Sequence, residues 1–142
     1  MALNRDEKIA HLQTIPVFQG CSRQELVAVA QIVDITEVPA GKALTLAGET
    51  GNEFSIILDG TARVGVWGRK RIRLGPGDFF GEMSLLDGEP CSATVVAETP
   101  LRLLVIPRRG FWALLTKLPG LTRQILVTLS GRLRQAEKSL LA

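Results

Sequence analysis

The sequence has no tyrosine, one histidine and two cysteines, and only 5% of its 142 residues are aromatic. Each scarcity excludes something. Two cysteines cannot build a dense disulfide framework. A single histidine, His11, cannot supply a multi-histidine metal site, nor the centre of a Ser/His/Asp hydrolase together with other assignable partners. No apolar run exceeds a handful of residues, so no transmembrane helix fits. The opening Met1-Ala2-Leu3-Asn4-Arg5-Asp6-Glu7 is polar, unlike a secretory signal. Charge of one sign is also scarce: 17 Lys+Arg against 14 Asp+Glu leave a formal net charge of +3, too little for a nucleic-acid arm or a polybasic membrane anchor. What is present is an apolar fraction of 46%, enough for a real core and too much for disorder. The expectation is one domain over residues 1–142, non-enzymatic, metal-free and cytoplasmic.

The first part reads as helical, over about residues 4–32. Asn4 with Glu7 opens a short helix to about Leu12, which Ile15-Pro16 stops. Ser22-Arg23-Gln24-Glu25 is a capping box, with Cys21 and Leu26 placed as a hydrophobic staple. Over residues 33–106 short apolar runs alternate with Gly, Pro and Asp. They predict strands near 33–38, 43–47, 53–58, 61–67, 70–74, 92–97 and 101–106. Many short strands with tight turns imply an antiparallel, mainly β roll with flanking helices. Helices return at 110–117, ended by Pro119-Gly120, and at 121–141. In the last, Leu126, Leu129, Leu133, Ala136 and Leu140 recur at gaps of 3, 4, 3 and 4, a seam able to pack on its own domain or on a second copy.

One segment interrupts the strand pattern: Gly81-Glu82-Met83-Ser84-Leu85-Leu86-Asp87-Gly88-Glu89-Pro90-Cys91-Ser92-Ala93-Thr94. A helical turn at Glu82–Leu86 offers free N–H groups to an anion. Gly81 permits close backbone approach. Glu82 can accept from a hydroxyl and Ser92 can donate to an anion. Residue types alone leave two readings open, a sugar-phosphate site and a tight turn capping the roll. Cys91 reads as a small semi-buried apolar residue or as a reactive thiol. Arg69-Lys70-Arg71 and Arg73 read as solvated charges, because alternation turns Ile72 and Leu74 inward.

From about Leu12 to Leu133 the sequence resembles the cyclic-nucleotide-binding domain family of the catabolite activator, kinase regulatory subunits and cyclic-nucleotide-gated channels. The residues that carry the resemblance are Leu12–Phe18, Ala40–Leu44, Gly48, Ile56-Ile57-Leu58-Asp59-Gly60, Leu74–Glu82 and Ser92-Ala93-Thr94. The resemblance implies an antiparallel jelly-roll β-barrel with N-terminal helices and a C-terminal lid or dimerisation helix. It implies a ligand, cAMP or a related cyclic nucleotide, in a phosphate-binding cassette at 81–94. Glu82 matches the family's acceptor from the ribose hydroxyl. Gly81, Met83 and Ser84 match the turn lining phosphate and ribose, and Ser92 and Ala93 match donors to the phosphate. Val64, Arg71 and Ile72 match positions near the purine. The helix around Arg132–Glu137 matches the lid, and 121–141 a possible homodimer contact. The absence of threonine at 92 favours adenine over guanine by the same resemblance.

One departure stands out. Cys91 occupies the position of the family's phosphate-binding arginine. A thiol replaces a charge-assisted fork with a weak neutral donor, and hydrogen bonds to charged groups contribute about 1.5–3 kcal/mol each, so affinity falls by roughly tenfold to a thousandfold. That departure keeps a second expectation alive, a ligand-free or other-ligand interaction domain on the same fold. No helix-turn-helix follows the lid within these residues, so the sequence reads as a free-standing sensor or as a fragment of a longer protein, without a DNA-binding domain or a membrane segment.

Overall fold

The N-terminal helices form where their caps allow. The computed structural model describes residues 4–65 and 72–141. Helix α1 (Arg5–Gln13) begins at Asn4, whose side chain accepts from the Glu7 N–H at 2.9 Å. A 3₁₀ turn follows at Pro16–Phe18. Helix α2 (Arg23–Ala30) carries the full capping box: the Glu25 N–H donates to Ser22 Oγ and the Ser22 N–H to Glu25 Oε1. Such a cap contributes about 1 kcal/mol. Cys21 and Leu26 both pack on the core beneath, as a staple requires.

There are eight strands among the described residues, seven of them at the expected spacing: β1 (Asp34–Val38), β2 (Ala43–Thr45), β3 (Glu53–Asp59), β4 (Ala62–Gly65), β5 (Ile72–Leu74), β6 (Phe79–Phe80), β7 (Thr94–Ala97) and β8 (Leu101–Pro107); the expected strand ends at 66–67 and 70–71 lie outside the described residues. They form two antiparallel four-stranded sheets, ordered β1-β8-β3-β6 and β2-β7-β4-β5. The jelly-roll is therefore a sandwich of two sheets. Alternation along β3 and β8 splits the core in two. Phe54, Ile56, Leu104 and Ile106 point to the helices, while Ile57, Leu101 and Leu103 meet Ala62, Leu74, Val95 and Ala97 between the sheets. The layers run helices, first sheet, second sheet.

Three helices complete the chain: α3 (Glu82–Asp87) between β6 and β7, then α4 (Arg108–Lys117) and α5 (Pro119–Leu141). Pro119-Gly120 does not merely end α4, as expected, because Pro119 opens α5. A first helical position needs no N–H and suits the fixed φ of proline. The two-residue strand β6 was not expected either; two phenylalanines carry no periodicity. Among the described residues no helix is long and apolar enough to cross a membrane.

Candidate functional site

The chain reaches the site through β6, which pairs with β3 at Ser55 and Ile56. It then turns at Gly81, with φ +92°. A side chain there would overlap the Glu53 carbonyl oxygen of β3, so glycine is required both by φ and by close packing. Helix α3 follows and is bolted down on two sides. Ser84 is buried; its Oγ accepts from the Gly51 N–H at 2.9 Å and donates to the Glu89 carbonyl at 2.7 Å. Trp112 Nε1 of α4 donates to the Leu85 carbonyl at 3.0 Å.

Past α3 the chain is laced to the 45–51 segment. The Cys91 N–H donates to the Glu49 carbonyl at 2.8 Å, and the Gly48 N–H donates to the Cys91 carbonyl at 2.9 Å. Thr45 Oγ1 donates to the Ala93 carbonyl at 3.2 Å, and the Ala47 N–H to Thr94 Oγ1 at 3.0 Å. The Cys91 thiol lies beside Gly51: a Cβ built on that glycine would be 3.2 Å from Cys91 Sγ and 3.5 Å from Ser84 Cβ. Cys91, Gly51, Leu44, Leu46, Glu49 and Glu53 are among the residues lining a half-open cavity of about 310 Å³.

Glu82 turns the other way. It is buried, 3% exposed, and its Oε1 accepts from Arg132 Nη1 of α5 at 3.2 Å. Arg132 Nη2 also donates to the Phe79 carbonyl at 2.6 Å, and its guanidinium lies 4.5 Å above the Phe79 ring. That ring packs on Phe54 at 5.2 Å in the helix-side core. Burial pushes the Glu82 carboxyl above its ordinary value, while its own backbone N–H and the Arg132 charge pull it part of the way back. One arginine thus ties the C-terminal helix to the carboxylate at the start of α3.

The expected site residues fall into three groups. Gly81, Glu82, Met83, Ser84, Cys91, Ser92 and Ala93 share the α3 segment, and Ser92 Oγ approaches Met83 Sδ at 3.9 Å. Within that group Cys91 is the one that lines the 310 Å³ cavity. Val64 and Ile72 are cross-strand neighbours on β4 and β5, and Val64 packs against the core between the sheets. Ile72 is not buried in that core, although alternation suggested that it would be. It is 58% exposed, while Leu74, two residues on, is buried. Arg71, with Arg69 and Lys70, lies outside the described residues. Arg73 pairs with Glu98 at 2.8 Å on an exposed face, as a solvated charge. The Arg132–Glu82 contact was not anticipated from sequence. Arg132 sits among Arg123, Arg134 and Lys138 on α5, and nothing in their spacing singles it out.

A family model, the cyclic nucleotide-binding domain, matches residues 35–117. A cyclic nucleotide-gated potassium channel of Mesorhizobium japonicum is 36% identical over 105 residues, covering 74% of this chain and 29% of the channel. The cyclic AMP receptor protein of Thermus thermophilus is 32% identical over 130 residues, covering 88% of this chain and 60% of the receptor. The chain therefore spans less than two thirds of the length of either relative. In structure, the regulatory subunit of a cAMP-independent protein kinase A from Trypanosoma brucei superposes with a TM-score of 0.79 at 28% identity, over 87% of this chain and 45% of that one.

Proposed function

The chain belongs to the cyclic nucleotide-binding domain family, and we propose that it is a regulatory, non-catalytic module that binds a cyclic nucleotide, cAMP in preference to cGMP, and signals through movement of α5. The ligand would lie against residues 81–94, with Glu82 accepting from the ribose hydroxyl and with Gly81, Met83, Ser84, Ser92 and Ala93 around the phosphate and sugar. Val64, Ile72 and Arg71 would border the base. A cytoplasmic setting goes with this reading.

One observation carries it: Arg132 of α5 donates to Glu82, the carboxylate that a ribose would need. A hydroxyl arriving at Glu82 Oε1 would compete with Arg132 for that oxygen, which would link ligand occupancy to helix position. A ligand shifts that equilibrium only by its differential affinity for the two helix positions. The test is calorimetric titration of nucleotide-stripped protein with cAMP and cGMP, with hydrogen exchange of residues 119–141 followed in parallel. The reading requires saturable cAMP binding and altered exchange in α5.

A second reading has its own support. By the resemblance, Cys91 stands where the family carries its phosphate-binding arginine, and one structural relative is a cAMP-independent kinase subunit. On α5, Leu126, Leu133 and Leu140 stand exposed at a seven-residue spacing. In that reading the domain works ligand-free or with another ligand, and α5 pairs with a second copy. Failure of cAMP binding, restored by Cys91→Arg, favours it.

A further inference from the structure

With a cysteine and no guanidinium at position 91, an anionic ligand needs its charge balanced from elsewhere. The 310 Å³ cavity makes the need greater, because Glu49 and Glu53 both line it. Arg132 is engaged with Glu82 and the Phe79 carbonyl. Arg73 is paired with Glu98 on the surface. Arg108 is placed differently. It opens α4, its N–H donates to the Asn52 carbonyl at 2.9 Å, and its Nη2 donates to the Gly51 carbonyl at 2.8 Å. Gly51 and Asn52 are themselves cavity-lining residues, and Gly51 is the glycine on which the Cys91 thiol rests. Among the described residues, no other Lys or Arg side chain hydrogen-bonds a residue lining this cavity.

We propose that Arg108 is the compensating cation for an anionic ligand in this chain, acting from behind the Gly51 peptide in place of the arginine missing at position 91. The inference rests on the sensing function proposed above. Arg108 Nη2 lies 2.8 Å from the Gly51 carbonyl oxygen, and Cys91 Sγ would lie 3.2 Å from a Cβ built on Gly51, so an anion beside Cys91 would be on the order of 8 Å from the guanidinium. At an effective dielectric between about 20 and 60, that separation corresponds to roughly a threefold to thirtyfold gain in affinity. The guanidinium need not touch the ligand: it biases the cavity's potential against Glu49 and Glu53, and its hydrogen bond holds the Gly51 wall in place. Arg108 is then a positioning and charge-balancing residue.

Two substitutions separate charge from strut. Arg108→Gln keeps an amide donor for the Gly51 carbonyl and loses the charge. Arg108→Lys keeps the charge and loses the guanidinium fork. Titration with cAMP is expected to find Arg108→Lys within about twofold of the unaltered protein and Arg108→Gln weaker by about threefold to thirtyfold. That loss should shrink in 1 M salt, where the Debye length falls to about 3 Å. Adding Cys91→Arg to Arg108→Gln should restore binding. Equal losses in the Gln and Lys variants, insensitive to salt, would make Arg108 a strut only and overturn the proposal. Unchanged binding by Arg108→Gln would overturn it too. Absence of cAMP binding by the unaltered protein, by contrast, overturns the sensing function itself, and this inference with it.

Discussion

Replacing Arg132 with methionine keeps the aliphatic stem and removes the guanidinium from Glu82 and the Phe79 carbonyl. Taking one partner from a fully buried pair costs about 3–5 kcal/mol, and exposed pairs contribute about 0–1 kcal/mol. Here Glu82 is buried but the Arg132 side chain is 37% exposed, so water can reach part of the vacated site. The expected loss therefore lies between, at about 2–3 kcal/mol, including the cation–π contact with Phe79. For a chain of this size that corresponds to a fall in Tm of about 6–15 °C. The loss should depend on pH. Burial raises the Glu82 carboxyl above its ordinary value, so its favourable contribution to stability is full below the ordinary carboxylate range. It is lost as pH rises through the raised value, where the buried charge must form. Arg132 offsets that cost by favouring the charged form. Arg132→Met should thus be more damaging, relative to the unaltered protein, at pH 8 than at pH 4.5. Glu82→Gln, which has no charge to bury, should cancel most of the difference when combined with it. Thermal melts by circular dichroism at both pH values test this. Equal losses at the two pH values, or no rescue by Glu82→Gln, would refute the assigned coupling.

Gly81→Ala forces an L side chain into φ +92° and into the Glu53 carbonyl. The left-handed backbone alone costs about 1–2 kcal/mol and overpacking about 1–3 kcal/mol more, so urea denaturation should record a loss of about 2–5 kcal/mol. A loss under 1 kcal/mol would mean that the β6–α3 turn is not held as described. Leu133→Asp, at a position 61% exposed on α5, should leave monomer stability within about 0.5 kcal/mol. It should also abolish any dimer seen by sedimentation velocity. A dimer that survives it would place the self-contact elsewhere.

Much of the fold was legible because its determinants are local. Ser22 and Glu25 make their capping box within one turn, and Asn4 caps α1 the same way. Glycine and proline punctuation located seven of the strands to within a few residues, since each break is a property of the break residue itself. The misses are non-local. Strand β6 exists because Phe79 and Phe80 pair with β3, not because of their own pattern. Ile72 has the strand parity of buried Leu74 yet is 58% exposed, so alternation along β5 does not by itself set burial. The site divides the same way. Gly81, Ser84 and Cys91, expected at the site from the resemblance, share one continuous segment, so their proximity is local. Arg132 meets Glu82 across 50 positions, and Arg108 meets Gly51 across 57, contacts that only the packing of helices on the first sheet creates.

The most direct test of the central claim is calorimetric titration of nucleotide-stripped protein with cAMP, beside the Cys91→Arg variant. A cyclic-nucleotide sensor should show saturable binding by the unaltered protein, tighter binding by Cys91→Arg, and a stabilisation of about 2.7 kcal/mol once cAMP reaches 100 times its Kd. No heat and no shift in Tm at millimolar cAMP, with binding appearing only in Cys91→Arg, would contradict it and leave a domain whose pocket no longer serves cAMP.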